Sequence, residues 1–255
     1  MASRSRTTAG RRAASQIGMR VPRRSERWYA GGHRLLRQLG LSGVCDYCWC
    51  EVLTLDGAAA PVSGWNAESL WLGEFGPAQL AWLEALAPER AGEFPARWRA
   101  GRRCFAALLD DGGAQRAVGY VWVAVGPTRL PGQRGLHWEL PPGCVWFYDA
   151  YSHPLVVGTY PDLVRYADRQ LRREGCTAFL GQVEFHNTHS RRVHRRLGAA
   201  PAGWLLQMKL AGLKVRVQRQ PGGWRWGLNP GPVRLGEYLP ASPPAAAAGA
   251  SARAA

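Results

Sequence analysis

The sequence predicts an α/β fold in which a mixed central β-sheet is flanked by helices and both chain ends are disordered. Three observations support this class. Residues 145–198 carry strand, loop, helix, strand and helix patterns in turn, and such a unit is typical of a crossover between parallel strands. Two apolar runs, 104–111 and 117–126, precede it and predict a hairpin. Both ends of the chain lack apolar periodicity, as disordered segments do.

The first segment, residues 1–27, holds eight arginines against one acid, Glu26. This composition predicts a disordered basic tail. The tail lacks the apolar segment of a secretory signal, although an arginine- and serine-rich, acid-poor stretch also suits a mitochondrial presequence. Translation starting at Met19 is a further alternative. No run approaches 18 apolar residues, so we expect no transmembrane helix and no membrane partner.

The net charge of +15 is concentrated at the two ends of the chain. Residues 1–27 contribute +7 and residues 214–255 contribute +5, which leaves +3 for the middle. A nucleic-acid-binding protein usually carries a basic patch on its folded core. Nucleic acid is therefore not an expected partner.

Residues 28–43 predict a short amphipathic helix, and the run CDYCWCEVLTL (45–55) follows it. Three clustered cysteines suggest zinc or iron–sulfur. A closed zinc site needs four ligands, however, and the sequence holds no second Cys-x-x-Cys or His-x-x-x-His pair. We therefore interpret the run as a buried strand that uses cysteine as a small apolar residue, and we expect no metal. Six cysteines without a secretory signal indicate a reducing compartment, the cytoplasm.

The middle of the chain predicts a series of local elements. Residues 54–68 form a loop, 77–90 a helix, and 93–102 a second helical piece. The hairpin turns at 110–116, and a polar loop with four prolines spans 126–143. The tryptophans of this region are candidates either for the core or for an acceptor pocket: Trp82, Trp98 and Trp122.

The central unit opens with a strand, 145–152, that is rich in aromatic and β-branched residues. Thr159 is the predicted N-cap of the helix that follows, with Pro161 and Asp162 in its first turn. Gly175 ends this helix.

A second strand, 178–183, leads to a short helix that is capped by Asn187 and ends at Gly198. Residues 203–213 predict a closing strand. Residues 218–255 carry little periodicity and end in a low-complexity alanine- and proline-rich tail.

Residues 65–213 resemble the acetyl-CoA-dependent N-acyltransferases of the GNAT superfamily. One feature is a strand that ends in a His-Pro turn, followed by a glycine loop and a Tyr-Pro helix opening, at 153–161. Another is the hairpin ahead of the core. A third is the pattern N-x-x-[AS]-x-x-x-Y-x-[KR]-x-G-F, which is matched here by Asn187, Ser190, Arg196 and Gly198, with His194 at the tyrosine position. We therefore assign 1–27 as a basic tail, 28–213 as a GNAT-like domain, and 214–255 as an arm and tail.

The sequence departs from the family pattern in the phosphate loop. The family loop [QR]-x-x-G-x-[GA] is reduced to Gly158, and the spacing between His153 and Tyr160 is two residues short of the usual one. Backbone N–H groups at a helix N-terminus bind anions without a particular side chain, so Gly158 and Thr159 could still hold a pyrophosphate. Loss of CoA binding is the alternative.

The resemblance implies acetyl-CoA as cosubstrate and a small-molecule or protein amine as acceptor, with a homodimer as an assembly to test. It implies that a backbone N–H at 150–152 polarises the thioester carbonyl. His194 would protonate the leaving thiolate, and Glu184 or His186 would act as general base. The residues implied in cofactor binding are Tyr151, Ser152, Gly158, Thr159, Tyr160, Asn187 and Ser190.

Other interpretations of these residues stay open. His194 could be a surface histidine in an arginine-rich helix, and Asn187 a plain N-cap. Asp149 and His153 are weaker candidates for the base. A non-catalytic scaffold with a decayed CoA site, bound to an acidic partner, is the alternative to an enzyme.

Overall fold

The computed structural model describes residues 31–32, 34–35, 38–39, 45–55, 70–131, 136–153, 156 and 158–240. The predicted tail and low-complexity end lie outside the described residues, as do most of the predicted helix at 28–43 and most of the loop at 54–68.

The structure gives complete bounds for twelve strands and four α-helices. The strands are β1 (Cys45–Leu55), β2 (Leu70–Phe75), β3 (Arg103–Asp111), β4 (Ala114–Val125), β5 (Thr128–Pro131), β6 (His137–Leu140), β7 (Cys144–Ser152), β8 (Ala178–Glu184), β9 (Ala199–Leu210), β10 (Leu213–Gln220), β11 (Gly223–Leu228) and β12 (Val233–Arg234). The helices are α1 (Leu80–Leu86), α2 (Phe94–Arg99), α3 (Thr159–Arg173) and α4 (Thr188–Arg196).

Nine strands form one twisted sheet in the order β11-β10-β9-β1-β8-β7-β4-β3-β2. Neighbouring strands are antiparallel except β7 and β8, which are parallel and joined through α3. The remaining three strands form a second sheet in the order β12-β6-β5. The prediction of a mixed α/β fold is therefore confirmed.

The predicted hairpin is β3 and β4, which pair antiparallel along their length. Its turn is Gly112-Gly113, where φ is 67° and 94°. Glycine reaches this left-handed region without a steric penalty. The Gly113 N–H donates to Asp110 Oδ1 at 2.8 Å and closes the turn.

Helix α3 covers one face of the large sheet with an apolar stripe at helical spacing: Leu163, Val164, Ala167 and Leu171. Its first turn lies directly on β4 at Gly119. A β-carbon on Gly119 would lie 2.8 Å from Thr159 Cγ2. The absence of a side chain at this position therefore lets the start of α3 approach the sheet.

The opposite face is covered in part by α1 and α2. Trp122 is fully buried there with Phe94, 5.8 Å between their ring centroids, so it belongs to the core. Trp98 is half-buried and donates its indole N–H to the Phe75 carbonyl at 3.2 Å. Trp82 is 38% exposed and is the tryptophan of the three with most free surface.

The polar loop predicted at 126–143 was wrong. It contains the hairpin β5–β6, whose inward residues Leu130, Trp138 and Leu140 are buried. The strands are only four residues long, so their alternation is too short to stand out from the surrounding prolines.

The large sheet also continues beyond the predicted closing strand. Strands β10 and β11 extend it, and the proposed boundary at residue 213 falls at the start of β10. The following segment returns over the sheet and buries Val233, Leu235 and Tyr238 against the β1 cysteines Cys48 and Cys50. The buried cysteine strand predicted for 45–55 is thus confirmed.

None of the helices in the described ranges has the length and apolar character needed to span a bilayer.

Candidate active site

The sheet opens between β7 and β8. Their parallel pairing runs from Cys144 opposite Ala178 to Phe147 opposite Gly181. Beyond this point β7 pairs only with β4 and β8 only with β1. Residues 148–152 and 182–184 are therefore not hydrogen-bonded to each other across the gap between the two strands. We call this opening the strand fork. Backbone N–H and C=O groups require hydrogen-bond partners, and along the inner edges of the fork the neighbouring strand does not provide them.

A β-bulge at Asp149 shapes one side of the strand fork. On β4, Val121 pairs with Ala150 and Trp122 with Tyr148, so Asp149 is the extra residue. Its φ is 43°, in the left-handed region that aspartate tolerates better than most residues. The bulge breaks the regular alternation of β7 at the point where the strands separate.

Two arginines from the helical segment before the hairpin hold this bulge in place. Arg90 and Arg97 both donate to the Asp149 carboxylate. The Arg97 guanidinium also lies 5.3 Å from the Trp122 ring and 5.6 Å from the Tyr148 ring. With its carboxylate engaged by two guanidinium groups, Asp149 acts as an anchor, which agrees with its low rank as a base.

We expect Asp149→Ala to lower the free energy of unfolding by about 2 kcal/mol, because it leaves two guanidinium groups without their carboxylate and places alanine at positive φ. The value is below that of a fully buried pair because the Arg90 side chain is 41% exposed. Asp149→Asn keeps the backbone preference and should lose only part of this. Urea denaturation followed by tryptophan fluorescence measures both. Equal stability of Asp149→Ala and the unchanged protein would contradict the anchoring role.

Helix α3 begins after the strand fork with an open N-terminus. The N-cap is Gly158, with φ of 93°, and not Thr159 as predicted. Thr159 is the first helical residue, is buried, and donates its hydroxyl to the Val156 carbonyl at 3.0 Å. Gly158 has no side chain to cap the helix, and the N–H groups of the first turn have no acceptor within the helix. Residues 154, 155 and 157 lie outside the described part of the chain, so the length of the loop stays a prediction.

Helix α4 and its N-cap hold three of the predicted residues, and one of them, His194, contacts α3. Asn187 Oδ1 accepts from the Ser190 N–H at 3.0 Å, which confirms the predicted N-cap. His194 is buried, so its interpretation as a surface histidine is wrong. Its Nδ1 lies 2.8 Å from the Ser190 carbonyl, and its Nε2 lies 2.8 Å from Tyr160 Oη. A carbonyl only accepts, so Nδ1 carries the proton and Nε2 accepts from the Tyr160 hydroxyl.

Burial controls the ionisation of this pair. It lowers the pKa of His194 below its ordinary value, and the hydrogen bond to the Ser190 carbonyl opposes this only in part. Burial raises the pKa of Tyr160, so its hydroxyl stays protonated. The pair is therefore neutral at rest, with one shared proton between Tyr160 and His194.

The candidate bases lie at the end of β8. Glu184 Oε2 is 3.2 Å from His186 Nε2, and both side chains are about one quarter exposed, at 25% and 23%. Glu184 is the last residue of the fork edge on β8. Its carboxylate is therefore partly open to solvent.

Sequence reasoning missed a set of contacts that ties α4 to β1. Arg191 Nε donates to Glu51 Oε2 at 2.8 Å, and the guanidinium lies 4.5 Å from the Phe185 ring. Trp49 stacks on the other side of Phe185, with 3.8 Å between ring centroids. No local spacing could have revealed these pairs, because Glu51 and Arg191 are 140 residues apart.

A cavity of about 640 Å³ lies elsewhere, between β1, β9, β10 and the carboxyl-terminal segment. Its lining includes Thr54, Trp204, Arg219, Gln220 and Tyr238. The β8 edge of the fork lies on the far side of β1, so the cavity is not part of it.

The structure thus divides the predicted site residues into three groups. Tyr160, Ser190 and His194 are in contact, with Asn187 bonded to Ser190. The fork edges hold Tyr151, Ser152 and Glu184, and the open start of α3 holds Gly158 and Thr159. Among the residues that the structure describes, no cluster of three or more His, Cys, Asp or Glu side chains could hold a metal.

Solved structures similar to this chain include acetyltransferases. A Drosophila protein from a structural genomics consortium is 13% identical over 71% of this chain and 58% of its own, with a TM-score of 0.46. A Novosphingobium aromaticivorans protein described as a GNAT-family acetyltransferase is 13% identical over 64% of each chain, with a TM-score of 0.44. An aminoglycoside N-acetyltransferase in complex with a CoA bisubstrate analogue is 18% identical over 51% of this chain and 89% of its own, with a TM-score of 0.39.

No protein-family model and no curated protein matches the chain. The chain spans 58% and 64% of the first two structures, less than two thirds of either. Similarities of this size do not place it in a family, and the function is therefore inferred from the geometry of its own site.

Proposed function

We propose that this protein is an acyl-CoA-dependent N-acyltransferase acting on an amine. The observation that carries the proposal is the strand fork followed at once by the uncapped N-terminus of α3. Together they offer free backbone groups for an extended amide-containing chain and, at its end, N–H groups and a helix dipole for phosphate.

The residues present fit acyl-CoA. When bound, acyl-CoA supplies the thioester that an amine attacks. The inner edge of 148–152 would hydrogen-bond its extended arm, and a backbone N–H at 150–152 would stabilise the oxyanion. The first turn of α3 would hold the pyrophosphate, with the exposed arginines Arg192, Arg195 and Arg196 of α4 adding positive charge.

Proton transfer would use residues on both sides of the fork. Glu184 takes the proton of the attacking amine and returns it to water. Protonated His194 gives its Nε2 proton to Tyr160 Oη while the Tyr160 hydroxyl proton passes to the departing thiolate. Tyr160 is thus the catalytic acid, and His194 is the group that resupplies it. The hydrogen bond from Nδ1 to the Ser190 carbonyl keeps the ring oriented for this exchange.

The proposal is tested by incubating the full chain with acetyl-CoA and a panel of amines that includes amino sugars, polyamines and peptides, with free thiol as the readout. Amine-dependent thiol release supports it. Absence of release with every amine, together with absence of acetyl-CoA binding, would favour the scaffold.

A further inference from the structure

A largely exposed apolar surface covers one face of β1, β9, β10 and β11. Cross-strand pairing aligns eight residues of these strands in two rows. The rows are Trp49–Leu206–Val217–Trp226 and Tyr47–Met208–Val215–Leu228. We call them, with the neighbouring Leu210, Leu213 and Trp224, the outer apolar face.

Strand β10 is inverted relative to the usual pattern. On the inner face, Gln207, Arg216 and Gln220 are each less than 7% exposed, beside the buried apolar residues Cys50 and Leu205 of the neighbouring strands. Arg216 donates to Gln207 Oε1 at 2.9 Å and to the Gly231 carbonyl at 2.8 Å, beneath the carboxyl-terminal segment. Strand β10 thus buries polar side chains and presents apolar ones outward, an arrangement that the packing of the described residues does not explain.

The exposed area is large. Trp226 is 77% exposed, Trp224 64% and Leu228 62%, while Leu210 and Leu213 exceed half. Together with Met208 and Trp49 the surface is on the order of 800 Å². A monomer's largest apolar patch is typically about 300–600 Å², whereas a stable complex buries about 800 Å² per partner.

We propose that the outer apolar face is the interface of a homodimer, in which two copies pack this face against each other around a two-fold axis. The two rows hold no charged side chain, so two copies can bring these rows together without burying a charge, while Arg219 lies exposed beside Trp224. The area equals what one partner contributes to a stable interface, and an isologous contact needs only a self-complementary surface. Packed sheet faces lie about 10 Å apart, which suits interdigitated tryptophan and leucine side chains.

A lipid surface fits less well. Anionic headgroups require basic side chains around the apolar area. The other face of these strands holds Lys209, Lys214, Arg216 and Arg225. Each of them is next in sequence to a residue of the apolar rows, and successive residues of a strand point to opposite faces. Arg219 alone among the basic residues of β9–β11 shares the apolar side.

The test is the mass of the full-length protein by sedimentation velocity at about 1–100 µM. We expect twice the chain mass of 28.0 kDa for the unchanged protein. Met208→Glu and Trp226→Glu should each weaken association by at least about 30-fold, as expected for central interface residues, while circular dichroism and melting stay unchanged. Trp82→Glu, an exposed tryptophan on α1, is the matched control and should remain a dimer.

The Met208→Glu variant also distinguishes face-to-face packing from a dimer in which the β11 edge strands of two copies pair. Met208 lies on β9, two strands from that edge, so its replacement should not disturb edge pairing. A dimer that survives Met208→Glu would overturn the proposal. So would a monomer at every concentration. A monomer that pellets with vesicles of phosphatidylglycerol would equally overturn it and assign the face to lipid.

Discussion

Replacing His194 with glutamine is expected to lower kcat by about 10²-fold, the lower end of what a general acid contributes. Glutamine keeps a polar group beside Tyr160, but its amide is not protonated as an imidazole is. It therefore cannot return a proton to the Tyr160 oxygen. Tyr160→Phe removes the hydroxyl that links His194 to the thiolate, so it should cause a loss of the same size. The matched control is His189→Gln, because His189 is on the same helix and exposed.

The pH dependence gives a second readout of this role. Proton donation needs the protonated imidazole, so kcat of the unchanged protein should fall as pH rises through the His194 pKa. Burial lowers that pKa, which places the midpoint below the ordinary value of about 6.5. The kcat of His194→Gln should not show this decrease with rising pH. Equal kcat for His194→Gln and the unchanged protein from about pH 6 to 9 would remove His194 from proton transfer.

Tyr238→Ala is expected to lower the free energy of unfolding by about 3–5 kcal/mol. Tyr238 is fully buried, and its ring packs between the two sheets in the cluster that holds Cys48, Cys50 and Trp138. The substitution leaves a cavity in this cluster and loosens the segment that covers the polar face of β9–β11. Tyr238→Phe keeps the ring and serves as the matched control.

Urea denaturation of both Tyr238 variants tests this prediction. A loss below about 1 kcal/mol for Tyr238→Ala would show that the carboxyl-terminal segment is not part of the core. Such a result would also contradict the burial of Arg216 and Gln207 beneath it.

Local patterns were sufficient to predict the centre of the fold. The hairpin β3–β4, the strand β7, helix α3 and the Asn187-capped helix α4 each follow from periodicity and end signals within a short stretch. The boundary error at Thr159 is one residue. It arises because the Thr159 hydroxyl bonds the Val156 carbonyl and packs on Gly119, which no N-cap rule can foresee.

Non-local pairing accounts for what the sequence did not predict. Strand β1 inserts between β8 and β9, elements that follow it by more than 120 residues. In β10 the polar half of the alternation faces inward, so the usual assignment of apolar residues to the core gives the wrong face. An aspartate within the aromatic run of β7 was a weak signal for the Asp149 bulge, since aspartate is unfavourable in strands.

The candidate site was predicted as a set of residues but not as a network. The spacing of Asn187, Ser190 and His194 placed them on one helix, and the structure adds that His194 is buried against Tyr160. Burial depends on which helix packs alongside, and the sequence gives no measure of that.

Calorimetric titration of the full chain with acetyl-CoA tests the central claim most directly. We predict binding of one acetyl-CoA per chain and its loss in Gly158→Glu, which brings a carboxylate against the phosphates at the start of α3. Gly175→Glu is the matched control, because Gly175 has φ of 92° at the other end of α3 with open space around it. It should bind acetyl-CoA like the unchanged protein. No binding by the unchanged protein, or equal binding by Gly158→Glu, would contradict the acyl-CoA site.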